Sequence, residues 1–230
     1  MSTAVALMDR DDWDANTDVI VVARPRRREL LWVPRDLWSR RYARRINGAF
    51  ELGGWKALLA ALREVGVRAR HAVCVRRGLC EAVLGQVDVT VPVERPVRYW
   101  YPLAPQSRIE DGRREVSFEP PSERLTGDRV HEWLGARYDV SGFSGGDIGR
   151  MARQQVFLRE LLRTDFPLGD AILARREELD VSGPRALVEL RAVRSDWRMR
   201  TMGGWLPAKV GGREVLVRRR FRRAIPDLAP

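Results

Sequence analysis

Val19-Ile20-Val21-Val22-Ala23, then Arg24-Pro25-Arg26-Arg27-Arg28-Glu29, then Leu30-Leu31-Trp32-Val33 is the stretch whose reading decides the fold. Two short apolar runs, rich in β-branched side chains and parted by proline and charge, predict two buried strands joined by a polar turn. Working outward, Ala4 to Met8 adds a strand before them. After them Gly53-Gly54 precedes a helix whose Trp55, Leu58, Leu59, Leu62 and Val65 form one apolar stripe, as a helix facing a sheet requires. Gly66 ends it. A strand follows around Ala69 to Val75, then a short helix near Leu79 to Leu84, then the alternating strand Val87 to Val91, closed by Pro92 and Pro96. Residues 98–124 show no clear period and predict a long irregular segment. A helical pattern runs from Leu125 through Leu134, Gly142 to Gly146 reads as a flexible bridge, and Arg150 to Leu162 as a strong helix. Helices are predicted at 169–179 and 184–192, and strands near 196–201 and 214–220 with Gly211-Gly212 as a turn. Strands alternating with helices imply an α/β layered fold in one domain, residues 1–230.

Composition narrows the function classes. The chain has 230 residues, 44% of them hydrophobic, with eight tryptophans, which is the make-up of a folded protein rather than a disordered one. No run approaches the roughly 18 apolar residues that span a bilayer. Met1 to Met8 lacks a basic start and meets Asp9 too early for a signal peptide. The expectation is therefore a cytoplasmic protein as written, or an extracytoplasmic one if the N-terminus is truncated. The net charge is +11, and apart from Lys56 and Lys209 every basic residue is arginine. Guanidinium is a planar fork that matches phosphate oxygens. The runs Arg26-Arg27-Arg28 and Arg218-Arg219-Arg220 lie beside apolar stretches, with no zinc-finger, RNA-binding-sheet or helix-turn-helix signature, so there is no strong case for nucleic acid. Cys74 and Cys80, with only His71 and His131 as companions, lack zinc-site spacing and read as buried thiols.

Three segments carry candidate chemistry. Asp9-Arg10-Asp11-Asp12-Trp13-Asp14, followed by Thr17-Asp18 at a strand mouth, is either a solvated acidic turn or a carboxylate cluster able to hold Mg²⁺, which takes oxygen ligands. Val33-Pro34-Arg35-Asp36 either caps the sheet edge as an ion pair or aims Arg35 over the carboxyl ends of the strands, where open α/β sheets bind ligands. In Ala136-Arg137-Tyr138 and Asp147-Ile148-Gly149-Arg150-Met151-Ala152-Arg153-Gln154-Gln155, Arg150 and Gln154 share one helix face near its start. That face is either an anion site or an ordinary basic solvent face.

Taken in order, these motifs resemble the LytR–CpsA–Psr family. The resemblance rests on Asp9, Asp18, Pro34-Arg35-Asp36, Ile46-Asn47-Gly48-Ala49-Phe50, Gly53-Gly54, Leu125-Thr126-Gly127, Arg137 and Gly149-Arg150-Met151-Ala152-Arg153-Gln154-Gln155. It spans about residues 4–220; each motif is weak singly, and their order and spacing are specific. The family's domain is a phosphotransferase that moves glycopolymers from a polyprenyl-pyrophosphate carrier onto peptidoglycan. The resemblance therefore implies a central mixed β-sheet flanked by helices, with an apolar ligand tunnel between sheet and helices. It implies Mg²⁺ on Asp9 and Asp18, catalytic roles for Arg35, Asp36, Arg137 and Arg150, and substrate contacts from Arg10, Asn47, Arg153 and Gln154. The ligand it implies is a polyprenyl or isoprenoid pyrophosphate.

The departures are informative too. Asn16 stands where the family commonly has an arginine, Val19 where it has a threonine, and Gly135 where it has the first arginine of an Arg-x-Arg pair. Losing two cations from a pyrophosphate site weakens transition-state stabilisation by a few kcal/mol, roughly, if both contact phosphate. Two alternatives follow: a cytosolic relative redirected to specialised-metabolite biosynthesis, or a lipid-binding relative without turnover.

Overall fold

Side chains of the first strand alternate between two faces and both faces are buried: Ala4, Ala6 and Met8 form one and Thr3 and Val5 the other, the period-two geometry of a pleated strand covered on both sides. The structure, a computed structural model, describes residues 2–8, 11, 16–103, 109–141 and 146–218. The elements in chain order begin with β1 (Thr3–Met8), β2 (Thr17–Arg24), β3 (Glu29–Val33), β4 (Trp38–Ser39), β5 (Arg44–Arg45), α1 (Ala49–Glu64), β6 (His71–Val75) and α2 (Arg77–Leu84). There follow β7 (Asp88–Pro92), β8 (Val97–Pro102), β9 (Arg113–Phe118), β10 (Ser122–Thr126), α3 (Asp128–Gly135), β11 (Tyr138–Asp139) and α4 (Gly146–Leu161). The last are α5 (Leu168–Leu173), β12 (Leu179–Val181), α6 (Pro184–Arg191), β13 (Arg198–Thr201), β14 (Trp205–Val210) and β15 (Arg213–Arg218). These divide into two units, one of Met1–Cys80 with Pro167–Pro230 and one of Glu81–Phe166.

The first unit is built on a mixed sheet in the order β12-β6-β1-β2-β3-β13. β1, β2 and β3 form an antiparallel meander, because the Pro25–Arg27 turn is short enough to return the chain directly. α1 then crosses over and delivers β6 parallel to β1, the connection a parallel pair requires. β13 adds parallel to β3 and β12 antiparallel to β6. Ala4, Ala6, Ile20, Val22, Leu31, Val33, Ala72 and Cys74 point to one face, where they share a core with Phe50, Leu58, Leu62 and Val65. The alanines at the centre of that face leave room for the leucines of α1. On the other face Thr3 Oγ1 donates to Glu189 Oε2 of α6 at 2.8 Å, and Ala186 and Leu190 of α6 are buried. The expected mixed sheet with flanking helices is thus what the chain forms.

α1 is broken where Gly53-Gly54 predicts a helix start: Gly54 sits at φ 57°, ψ −148°, a region open essentially to glycine alone. Gly54→Ala is expected to cost roughly 1–3 kcal/mol. It should lower the urea midpoint without changing the slope of the transition.

Cys74 and Asp180 face each other across β6 and β12. Burial, reinforced by the Asp180 charge, pushes the Cys74 thiol far above its ordinary value, so this cysteine is an inert packing group, as expected. Neither cysteine is in a disulfide. Burial also raises the Asp180 carboxyl above its usual range. A carboxyl with a raised folded-state pKa favours folding below its unfolded value, and that contribution is lost as pH rises through the folded value. Asp180→Asn is therefore expected to raise the urea midpoint at pH 7 and to leave it unchanged at pH 3; an equal effect at both would contradict this account.

The second unit holds two small sheets, β10-β7 and β11-β8-β9, with α3 and α4. Its core gathers Val89, Val91, Tyr99, Val116, Phe118, Leu125, Val130, Trp133 and Phe157. Phe118 meets Trp133 edge to face at 4.9 Å between centroids.

The structure departs from the sequence expectations in several places. The described residues of 98–124 are mostly regular: they supply most of β8, all of β9 and the start of β10. Only Tyr99, Val116 and Phe118 of the β8–β9 pair are buried. Most of the rest are long amphipathic side chains that meet across the strands, as in Arg98–Glu115 at 3.3 Å and Arg113 stacked 4.4 Å from the Trp100 ring. This pattern hides the hydrophobic period. Leu125 lies within β10, which ends at Thr126, and the helix begins only at Asp128 after Gly127 at φ 50°. The helix expected at 169–179 stops at Leu173 and gives way to a short 3-10 turn and β12. β14 has no counterpart in the sequence expectations; it pairs with β15 across Gly211-Gly212, both at positive φ, the geometry of a two-residue hairpin turn. The Gly142–Gly146 bridge lies, except for Gly146, outside the described residues.

Candidate functional site

In the first unit the chain leaves β3 through Val33-Pro34, and proline ends the strand by withholding a ladder donor. Arg35 and Asp36 follow at once and are both buried, 8% and 9% exposed. A buried guanidinium needs carboxylate partners to offset its desolvation. Arg35 Nη1 is ion-paired with Asp18 Oδ1 at the start of β2, and Arg35 Nε lies 4.0 Å from Asp36 Oδ2. Asp36 Oδ1 in turn is ion-paired with Arg45 Nη1 at 3.0 Å. The result is a row of alternating charge, Asp18, Arg35, Asp36, Arg45, at the end of the sheet where β2 starts and β3 finishes.

The backbone of the following turn is tied to the same row. Asn47 N–H donates to the Arg35 carbonyl at 3.2 Å, Ile46 N–H to Leu37 O at 2.7 Å, and Thr17 Oγ1 to Asn47 O at 3.4 Å. β15 braces it from outside: Leu216 N–H donates to the Asp36 carbonyl at 2.9 Å and Arg45 Nη2 to Glu214 O at 2.6 Å. Asp18, Arg35, Asp36 and Asn47, singled out on sequence, are thus brought together. Arg45 escapes a sequence reading, because a basic pair before an apolar turn looks the same as a solvated one. Asp9 and Arg10 lie outside the described residues.

Of the charged row, Asp18 is the group suited to a divalent cation. Mg²⁺ needs only one or two carboxylates when a phosphate completes its shell. Among the described residues no three His, Cys, Asp or Glu side chains form a metal cage. The described donors therefore fit a cation whose shell is completed by a phosphate ligand.

In the second unit α4 carries Arg150, Arg153 and Gln154, which are 3%, 7% and 7% exposed. α3 ends nearby, and the last carbonyls of a helix have no partner of their own. Arg153 supplies one: its Nε donates to Trp133 O at 2.9 Å and its Nη2 to Ala136 O. Gln154 Nε2 reaches Leu134 O at 3.4 Å, and Trp133 Nε1–H returns a bond to Arg153 O at 3.1 Å. The guanidinium also lies 4.2 Å from the Tyr99 ring centroid. Burial lowers the Arg153 pKa, against the raising effect of Tyr99, yet arginine stays charged. Arg153 thus clamps α3 to α4, a role the sequence did not reveal, while its Nη1 and Gln154 Oε1 keep no hydrogen-bond partner among the described residues. Arg137 is exposed between α3 and β11, and its carbonyl accepts the Gly146 N–H at 2.9 Å.

Two of the departures noted in the sequence, Gly135 and Asn16, have neighbours of their own. A Cβ on Gly135 would meet Tyr101 Cε2 at 3.3 Å, and one on Gly48 would meet Asn16 Oδ1 at 3.2 Å.

The model of the LytR_cpsA_psr family matches residues 4–165. Among solved structures, Bacillus subtilis TagU is 16% identical with a TM-score of 0.53, covering 100% of this chain and 99% of its own. Bacillus subtilis TagV is 16% identical with a TM-score of 0.58, covering 100% and 98%. TagT bound to LIIa-WTA is 13% identical with a TM-score of 0.62, covering 99% and 89%. At such identities the likeness is one of fold. No curated protein sequence matches the chain. No helix among the described residues is long and apolar enough to cross a membrane.

Proposed function

Because the chain belongs to the LytR_cpsA_psr family, we propose that it is a phosphotransferase that moves a glycopolymer from a polyprenyl-pyrophosphate carrier to a cell-wall acceptor. The observation that carries this reading is the buried Arg35 held between Asp18 and Asp36 at the mouth of the sheet. Phosphoryl transfer asks for positioning and charge neutralisation more than for covalent chemistry. The acceptor hydroxyl oxygen forms a bond to the sugar-linked phosphorus, and the bond from that phosphorus to the bridging oxygen breaks. The carrier leaves as a polyprenyl monophosphate, and the hydroxyl proton passes to a carboxylate, for which Asp36 is our candidate.

Arg35 neutralises the charge that gathers on the diphosphate oxygens, with Arg137 and Arg150 assigned the same role. Arg10, Asn47, Arg153 and Gln154 hold the substrate, and an apolar tunnel between sheet and helices takes its chain. Mg²⁺, held by Asp9 and Asp18, supplies charge neutralisation on the diphosphate when bound.

The test is release of polyprenyl monophosphate from a purified polyprenyl-pyrophosphate glycan with and without Mg²⁺. Metal removal by chelation is expected to lower the rate by about 100-fold or more, in line with loss of a Lewis acid worth several kcal/mol. Equal rates with and without the metal would remove Mg²⁺ from the scheme.

A second reading, a relative redirected to another isoprenoid diphosphate in specialised metabolism, is favoured by one observation. Tyr101 occupies the space beside Gly135 where the family's arginine would start. Faster phosphate release from geranylgeranyl diphosphate than from the glycan-linked carrier would select it. Binding of either without product would select the non-catalytic relative.

A further inference from the structure

At the opposite end of the first unit's sheet from Asp18 and Arg35, the structure holds a basic cavity. β2 separates the two ends by roughly 20 Å at about 3.3 Å per residue. The cavity has a volume of about 360 Å³ and is lined by Ser2, Arg24, Arg26, Arg27, Gly66 and Arg68. These come from three places in the chain: the start of β1, the turn that joins β2 to β3, and the loop that follows α1. Arg24 is neutralised by Glu29, which is fully buried, at 2.9 Å. Arg26, Arg27 and Arg68 are exposed and make no ion pair with any described residue.

The walls of the cavity are tied down. Ser2 Oγ donates to the Arg68 carbonyl at 2.7 Å and Arg70 N–H to the Ser2 carbonyl at 2.9 Å. Pro25 opens the turn that carries Arg26 and Arg27, and Arg28 closes it at φ 47° with its own side chain paired to Asp196 at 2.7 Å. Three like charges lining one concavity repel one another, and a bound anion relieves that repulsion. Guanidinium forks bind the tetrahedral oxygens of phosphate two at a time.

We infer that this cavity is a phosphate-binding site, distinct from the Asp18–Arg35 row, that takes a phosphate group either from a lipid headgroup or free in solution. The full chain is tested with two probes: vesicles of phosphatidylglycerol in phosphatidylcholine, by co-sedimentation, and radiolabelled inorganic phosphate, by equilibrium dialysis. The variant Arg26→Gln/Arg27→Gln/Arg68→Gln keeps the side-chain stems. A charge-matched control, Arg176→Gln/Arg185→Gln/Arg213→Gln, removes three exposed arginines elsewhere. The pocket variant should weaken binding by roughly 20-fold or more, as expected for three basic contacts to anionic headgroups, and the control by less than about threefold. Loss with vesicles alone identifies a headgroup; loss with inorganic phosphate alone identifies a free phosphate; loss with both identifies a pocket that accepts either. Equal weakening in the pocket variant and the control, or none in either, overturns the assignment, whatever turnover at Arg35 proves to be.

Discussion

Arg35→Ala is expected to lower the rate of polyprenyl monophosphate release about 100- to 1,000-fold, the usual cost of removing one donor aimed at developing negative charge. The effect should fall on kcat at least as strongly as on KM, because the charge on the diphosphate oxygens grows as the bond breaks. Arg35→Lys keeps the charge but not the fork, so it should recover only a small part of the rate. Arg35 also supports the fold, since without it Asp18 and Asp36 face each other's charge in a buried place. The double variant Asp18→Asn/Arg35→Ala, compared with Asp18→Asn alone because Asp18 is also the proposed metal ligand, separates the two roles. It removes one stranded carboxylate and should regain much of the lost folding stability while turnover stays lost. Recovery of turnover together with stability would show that Arg35 only supports the fold.

Arg153→Met is the replacement with the largest expected effect on stability. It keeps an apolar stem under Tyr99 and withdraws the donors from the Trp133 and Ala136 carbonyls, which then lie near a helix end with nothing to replace them. At about 1.5–3 kcal/mol for each hydrogen bond to a charged group, the loss is roughly 3–5 kcal/mol. Urea unfolding should show it as a lower midpoint. Arg153→Lys should restore less than half, since a single ammonium cannot span two carbonyls. A loss below about 1 kcal/mol would mean that water or a neighbouring side chain takes over the carbonyls. Because arginine remains charged across the accessible range, the deficit should not depend on pH.

Sequence and structure agree where side chains report their surroundings directly. β2 and β3 are legible because Val19 to Ala23 and Leu30 to Val33 are β-branched or bulky and end at proline and charge. α1 is legible because its stripe repeats at helical spacing, and Gly54 marks the place where the helix breaks. The β8–β9 hairpin is not, because Arg98, Arg113 and Arg114 are exposed and Trp100 and Tyr101 only half-buried, with Arg113 and Arg114 lying over the two rings. Such residues carry no period-two signal even when the backbone pairs residue by residue.

For the candidate site, the sequence by itself determined the residue types and their order: a carboxylate at the start of a strand, an arginine and a carboxylate beyond the end of the next, and a basic, glutamine-bearing helix face. Those follow from local pattern, which depends on neighbours within a few positions. Only the tertiary structure decided which charges are buried and what each is spent on. Asp18 meets Arg35 across 17 residues and Arg153 meets the end of α3 across 17 and 20. Desolvation is set by everything that packs around a group, and local sequence does not carry that information. The same holds at the far end of the sheet, where three arginines that read singly as solvated surface line one cavity because the β2–β3 turn and the loop after α1 lie at the same end of the sheet, on either side of β1.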